Sequence, residues 1–234
     1  MIPAPPVTVA RSTPPHEHPG GAGHPAGSPR LDPLLLDLAA RWRGQTVGLY
    51  GGSFNPAHDG HAHVAENALK RLGLDAVWLL VSPGNPLKAA HGMAPFGDRL
   101  ASARRLAARH CRLAASNAEA RLGTRHTLDT ITALQARLPH TRFVWLMGAD
   151  SAAQFHRWYR WQALAKRLPI AIFDRPSYTL SGQRGALARR FPAARTRPSR
   201  LVRMAAPAWS FIIMPRHAAS ATGIRHRDPA WLAR

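Results

Sequence analysis

Residues 50–69 read YGGSFNPAHDGHAHVAENAL and join the end of an apolar strand, through a glycine pair, to the start of a helix. The helical pattern runs from about Asp59 to Leu72. His58 and His61 are three residues apart, so they share one face near the helix amino terminus. Because the N–H groups and the positive dipole end of a helix favour an anion there, this stretch predicts a phosphate-binding site.

The two histidines have a simpler alternative explanation, in which His58 caps the helix and His61 packs against the core. A single histidine would favour that alternative. A pair at this spacing favours phosphate binding, because Gly51 and Gly52 just before it allow a ligand to approach the backbone closely. The stretch matches neither the phosphate-loop pattern G-x-x-x-x-G-K-[ST] nor the dinucleotide pattern G-x-G-x-x-G.

Strand-like and helix-like segments alternate from Gln45 onward, which favours β-α-β units and helices on both faces of a sheet. We therefore expect an α/β fold with a single Rossmann-like, doubly wound and mostly parallel sheet. Cys111, in the third strand, is expected to be buried. The predicted strands are 46–50, 76–82, 111–116, 142–150, 169–173 and 210–214, and the predicted helices are about 59–72, 97–109, 126–138 and 161–168.

Composition bounds the domain organisation and the partners. Residues 1–30 are rich in Pro, Gly and His without an apolar period, so we expect a disordered extension before a domain at 31–234 with its core at 45–227.

The formal net charge is +20, and residues 184–234 carry eleven arginines against one acidic residue. Those arginines are not interleaved with aromatic residues, as a base-stacking surface requires, so we expect no nucleic-acid partner. Without an apolar run of about 18 residues we expect no membrane association, and a lone cysteine favours the cytoplasm.

Polar clusters follow the predicted strands at their carboxyl ends, where open parallel sheets bind ligands. Lys88, one of only three lysines, follows the second strand and could neutralise triphosphate oxygens or be a solvated loop cation. Asp150 follows the fourth strand and could accept hydrogen bonds from a ribose hydroxyl or cap the next helix. In SATGIR (220–225), Ser220 and Thr222 could cap a helix and bind phosphate beside Arg225, whose guanidinium suits phosphoryl oxygens.

Trp158 and Tyr159 lie in a basic aromatic segment, HRWYRW. This composition favours a ring platform for a heteroaromatic base, although an ordinary buried tryptophan is the alternative. The loop GTRHT (123–127) leads into the predicted helix at Thr127, whose backbone N–H groups suit a carboxylate. Arg125 and Arg157 would add positive charge nearby.

These motifs together resemble the nucleotidyltransferase superfamily. GGSFNPAHDGH resembles its first signature, G-G-[ST]-F-[ND]-P-x-H-x-G-H, and SATGIR resembles its second, with Ala219 in place of the usual Ile or Val. Within the superfamily the bacterial nicotinate-mononucleotide adenylyltransferases are most similar, because GADS (148–151), FHRWY (155–159) and HTLDTI (126–131) match their further motifs. The resemblance covers about residues 45–227.

The resemblance implies transfer of the adenylyl group of ATP to nicotinate mononucleotide, with Mg²⁺ held mainly through the ATP phosphates and no metal ligands from the protein. It implies that His58, His61 and Arg225 are catalytic. The implied ATP-binding residues are Gly51, Gly52, Ser53, Phe54, Lys88, Asp150, Ser220 and Thr222, and the implied acceptor-binding residues are Asn55, His126, Thr127, Trp158 and Tyr159.

Three alternatives stay open at this point. A sister adenylyltransferase could act on nicotinamide mononucleotide or phosphopantetheine, and the acceptor pocket around Thr127 and Trp158 would distinguish it. A non-catalytic nucleic-acid binder would account for the charge but not for the paired histidines. A class I tRNA synthetase fragment shares the His-x-Gly-His element but leaves no room for an anticodon-binding or editing region.

Overall fold

The computed structural model describes residues 42–84, 92–175 and 178–215. The predicted extension at 1–30, Lys88 and the second signature at 220–225 lie outside the described residues, so those predictions stay predictions.

Six strands form one sheet in the order β3-β2-β1-β4-β5-β6, and all five neighbouring pairs are parallel. This is the doubly wound order, in which the chain leaves β1 in one direction and returns to its other side with β4. The predicted fold class is therefore confirmed. The strands are β1 (Thr46–Gly52), β2 (Ala76–Val81), β3 (Leu113–Ser116), β4 (Arg142–Gly148), β5 (Ile170–Phe173) and β6 (Trp209–Ile212).

Helices cover both faces of the sheet, and one apolar cluster lies on each face. The interior strands are apolar on both sides, as strands of a buried parallel sheet must be, and β2 is buried along its whole length. The helices are α1 (Asp59–Leu72), α2 (Phe96–Ala108), α3 (Ala118–Leu122), α4 (Thr127–Arg137), α5 (Ala149–Ala153), α6 (Trp161–Ala165), α7 (Thr179–Gln183), α8 (Ala186–Arg190) and α9 (Pro198–Leu201), with short 3-10 turns at Phe155–Arg157 and Pro192–Ala194.

The third strand departs from its prediction. It begins at Leu113, two residues later than expected, and the preceding residues form a turn. Cys111 lies in that turn at the amino-terminal edge of the sheet, where its side chain is exposed. The expectation of a buried Cys111 was therefore wrong. None of the helices within the described ranges is both long and apolar enough to cross a membrane.

Candidate active site

A cavity of about 400 Å³ opens at the carboxyl edge of the sheet, next to the point where the strand order reverses between β1 and β4. Parallel strands bring the loops from both halves of the sheet to this edge. Of the predicted site residues, seven line the cavity together. These are Gly51, Gly52, Ser53, His126, Thr127, Trp158 and Tyr159.

Trp145 of β4 also lines the cavity, and its indole explains why Gly51 has no side chain. A β-carbon built on Gly51 would overlap Cη2 of Trp145 and would lie 2.7 Å from its Cζ2. Trp145 is almost completely buried, so its ring has little room to move away. The sequence predicts close approach of a ligand at Gly51, whereas in the structure the group that approaches this glycine is the Trp145 indole.

We expect Gly51→Ala to destabilise the chain by about 1–3 kcal/mol, because it overpacks a well-filled core next to the cavity. Thermal unfolding measures this effect. Gly97→Ala is the matched control, since Gly97 lies in α2 and a β-carbon there meets no atom within 4 Å. Equal melting temperatures for Gly51→Ala and the parent chain would contradict this expectation, because they would show that the Trp145 indole can move aside without loss of stability.

His58 and His61 close the first turn of α1 as a reciprocal cap. The backbone N–H of Gly60 donates to Nδ1 of His58 at 3.1 Å, and the backbone N–H of His58 donates to Nδ1 of His61 at 3.2 Å. The two rings lie against each other with centroids 3.9 Å apart. Since each Nδ1 accepts a hydrogen bond, the proton of each neutral ring is on Nε2, which is then a donor.

His58 does cap the helix, as its alternative explanation stated. This cap leaves a phosphate-binding role possible, because the two roles use different ring nitrogens. Capping uses Nδ1, whereas hydrogen bonding to a phosphate oxygen would use the Nε2–H of the same ring. The cap also fixes each imidazole at the amino terminus of a 14-residue helix, the end that favours anions. The phosphate contacts of His58 and His61 stay predictions.

Asp150 lies beside a cation that the sequence analysis missed. Its Oδ1 is 3.6 Å from Nε of Arg175, which follows β5, and Arg175 also donates to the hydroxyl of Tyr50 in β1 at 3.2 Å. Burial acts to lower the pKa of Arg175, but the nearby Tyr50 and Asp150 more than offset it, so that pKa lies above its usual value. Asp150 therefore belongs to an ion pair and does not cap α5, whose amino-terminal cap is Gly148. Its ribose contact stays a prediction.

Two residues of the first signature make contacts within the protein that their predicted roles did not include. Phe54 was predicted to bind ATP, but its side chain is only 1% exposed and its ring lies 4.9 Å from that of His61, between centroids. Because φ is +46° at Phe54, the chain turns sharply and places the ring under His61. The side chain therefore packs in the core, and the ATP contact predicted for Phe54, which only its backbone can make, stays a prediction. Asn55 holds the neighbouring segment, since its amide donates to the Gly92 carbonyl and accepts from the Ala94 N–H. Its acceptor contact stays a prediction.

The opposite wall of the cavity is aromatic and basic. The rings of His126 and Tyr159 are stacked, with centroids 4.3 Å apart and planes 23° apart. Trp158 is half-buried, meets Trp145 and Phe155 edge to face, and still lines the cavity. It is thus anchored on the core and available as a platform. Two arginines predicted to add positive charge here, Arg125 and Arg157, line the same cavity.

Glu119 is a cavity residue that the sequence analysis did not identify. It lies in α3, directly after β3, so the strand-end rule could have found it. Burial raises the pKa of its carboxyl group to about 7, and a hydrogen bond from the Ser82 side chain partly offsets this effect. Near neutral pH, Glu119 therefore exists in both its neutral and its anionic form.

This shift predicts a pH-dependent stability. Between the ordinary value of 4.5 and about 7, the folded chain binds a proton at Glu119 that the unfolded chain has lost. The stabilisation is fully present below 4.5 and is lost as the pH rises through about 7. We expect Glu119→Gln to remove this component, so the difference in melting temperature, variant minus parent, should increase between pH 5 and pH 8. A constant difference over that range would contradict the assignment.

Comparison with known proteins identifies the family of this chain. A family model described as cytidylyltransferase-like matches residues 49–227. A curated relative from Cereibacter sphaeroides, named "Probable nicotinate-nucleotide adenylyltransferase", is 52% identical over 182 residues, which cover 76% of this chain and 95% of the relative. A relative of the same name from Rhizobium johnstonii is 49% identical over 187 residues, covering 79% of this chain and 94% of the relative.

A solved structure shares the fold. It is that of the Plasmodium falciparum nicotinic acid mononucleotide adenylyltransferase complexed with NaAD, with a TM-score of 0.58 and 15% identity over 78% of this chain and 83% of the other. At that identity the likeness supports the Rossmann-like fold alone. The family assignment rests on the curated relatives and on the family model, whose match at 49–227 includes the cavity residues and both signatures. The chain belongs to the nicotinate-nucleotide adenylyltransferase family of cytidylyltransferase-like proteins.

Proposed function

We propose that this chain transfers the adenylyl group of ATP to nicotinate mononucleotide, giving nicotinate adenine dinucleotide and pyrophosphate in NAD biosynthesis. The observation that carries the proposal is that residues matching separate motifs of the family, Gly51–Ser53, Thr127 and Trp158, line one cavity at the switch point of the sheet. The curated relatives that share about half of the sequence support the same reaction.

The chemistry requires no nucleophile from the protein. An oxygen of the acceptor phosphate attacks the α-phosphorus of ATP, a new P–O bond forms, and the bond to the bridging oxygen breaks as pyrophosphate leaves. The attacking oxygen is already anionic, so no general base is needed. The task of the protein is to align two anions and to stabilise the charge on the α-phosphate and the leaving group. The Nε2–H groups of His58 and His61, at the amino terminus of α1, suit this task.

The acceptor would occupy the aromatic and basic wall. Trp158 offers a ring face on which the pyridine ring can stack, and it is held in place by Trp145 and Phe155. Thr127 begins an 11-residue helix, so its end of α4 offers backbone N–H groups and a positive dipole end for the nicotinate carboxylate. Arg125 and Arg157 make the potential around that carboxylate more positive.

Mg²⁺ is proposed as the cofactor, held through ATP phosphate oxygens and water. In the described part of the chain, His, Cys, Asp and Glu side chains form no group of three or more that could hold a metal ion. A metal that is held through nucleotide oxygens and water needs no such group of side chains. When bound, the ion would neutralise charge on the phosphates.

We also propose a cytoplasmic location and no nucleic-acid partner, as expected from the single cysteine and from the arginine-rich but aromatic-poor segment 184–234.

The reaction is tested by pyrophosphate release from ATP with a panel of acceptors. We expect nicotinate mononucleotide to exceed nicotinamide mononucleotide by at least about tenfold in kcat/KM, because a charge-assisted hydrogen bond to the carboxylate contributes roughly 1.5–3 kcal/mol that the amide lacks. Phosphopantetheine should not be a substrate. Equal or faster turnover of the amide nucleotide would replace the nicotinate assignment while leaving adenylyl transfer intact.

A further inference from the structure

Arg99 of α2 is a buried charge at the carboxyl edge of the sheet that the proposed chemistry does not use. Its side chain is 1% exposed and donates to four backbone carbonyls. The acceptors are the carbonyls of Ser53 and Ser82 at 2.7 Å each, and those of Pro83 and Ala94 at 2.9 Å each. One guanidinium therefore joins the exit of β1, the exit of β2 and the segment that leads into α2.

Among the described residues, no carboxylate forms an ion pair with Arg99. The ion pairs found within the described ranges involve Asp59, Glu66 and Asp150, and none of them includes Arg99. Burial lowers the pKa of Arg99, but an arginine starts so far above neutrality that the group stays protonated. Burying an unpaired charge is costly, and a clamp made of neutral groups would avoid that cost. A buried cation behind the walls of an anion-binding cavity is useful because it favours the bound anion.

Arg99 also fixes the direction of two peptide groups. Because a trans peptide is planar, the N–H of Phe54 is antiparallel to the Ser53 carbonyl, and the N–H of Gly84 is antiparallel to the Pro83 carbonyl. Both N–H groups therefore point away from the guanidinium that binds the carbonyls. The hydrogen bonds between described residues provide an acceptor for neither of these N–H groups. Ser53 and Gly84 line the cavity, so these two donors lie at its border.

We propose that Arg99 is a positioning residue for the anionic groups of the substrates. Its guanidinium holds the exits of β1 and β2 in register, so that the N–H groups of Phe54 and Gly84 can donate to one phosphate group. This inference rests on the proposed function only in naming the phosphates as those of ATP and of the acceptor nucleotide. Lysine cannot replace the arginine fully, because a single ammonium lacks the planar fork that reaches carbonyls of three segments at once.

The first experiment compares Arg99→Lys with Arg112→Lys. Arg112 is the matched control, because it donates to the Leu74 carbonyl at 3.1 Å on the opposite edge of the sheet. We expect Arg99→Lys to raise the KM of ATP at least tenfold and to lower kcat by a similar factor, measured on folded protein, while Arg112→Lys leaves both unchanged. If Arg99→Lys lowers only the melting temperature and keeps both kinetic constants, Arg99 is merely structural and the proposal is overturned.

The second experiment uses the parent chain and so does not depend on how the variant folds. The ¹⁵N-labelled protein is titrated with inorganic pyrophosphate, and the amide resonances of Phe54 and Gly84 are followed by NMR together with the side-chain Nε–H of Arg99. We expect all three to shift on saturation, whereas the side-chain Nε–H of Arg112 should not. Unchanged Phe54 and Gly84 amides at saturation would overturn the proposal even in an active enzyme. Shifted amides in a chain that fails to release pyrophosphate from ATP and nicotinate mononucleotide would instead contradict the proposed function alone.

Discussion

His61→Ala is expected to lower kcat by on the order of 10²–10³ while the fold is retained. The Nε2–H of this imidazole is placed to donate to charge that develops on the phosphates, and removing one preorganised donor of this kind has an effect of that size. The measurement is steady-state pyrophosphate release with ATP and nicotinate mononucleotide, on protein whose circular dichroism matches that of the parent.

The structure provides a control that separates catalysis from capping. His61 accepts the His58 N–H at the third position of α1, where glutamine serves the same purpose in capping boxes. His61→Gln should therefore keep the melting temperature, whereas His61→Ala should lose about 1 kcal/mol of stability. Both variants should lose activity to a similar extent. If His61→Gln turns over at the parental rate, the imidazole is only a cap.

Trp158→Ala is expected to raise the KM of nicotinate mononucleotide by about 5- to 150-fold, because stacking of a base on an aromatic side chain contributes roughly 1–3 kcal/mol. The KM of ATP should change far less, since the ring lies on the wall proposed for the acceptor. Initial rates with each substrate varied in turn measure this difference.

Trp161→Ala is the matched control for the stacking role. Trp161 follows in the same segment and packs against Phe155 and Phe191, in contact with the apolar core of that face. Its loss should reduce stability without a selective effect on the acceptor, and Trp158→Phe should restore most of the affinity. A Trp158→Ala variant whose KM values for both substrates rise equally would show that Trp158 only supports the fold.

Much of the fold followed from local signals in the sequence. The helix predicted from about Asp59 to Leu72 has those bounds in the structure, because His58 caps its start and Gly73, with φ at +66°, ends it. The strand order could not be predicted in the same way. The order depends on which strands pair across the sheet. Buried parallel strands are all similar apolar runs, so their sequences do not indicate which strands lie next to each other.

Site residues that belong to a contiguous motif could be predicted from the sequence. Site residues that come together only through the fold were missed. Gly51 and Trp158 were assigned from the stretches that contain them and do line the cavity. Glu119, Arg175 and Arg99 each lie far along the chain from the first signature, and only the sheet brings them to one edge. Phe54 shows what a motif leaves open, because the motif gives the residue type but not the positive φ that turns its ring into the core.

The reciprocal cap of α1 has a consequence for the order in which the site is assembled during folding. Each of the two rings accepts a backbone N–H through Nδ1, and both N–H groups belong to the amino-terminal end of α1. The imidazoles therefore reach these positions only when that helix end is folded, and the helix end loses both acceptors when the rings leave. Formation of the first turn of α1 and assembly of the histidine pair are thus a single cooperative event.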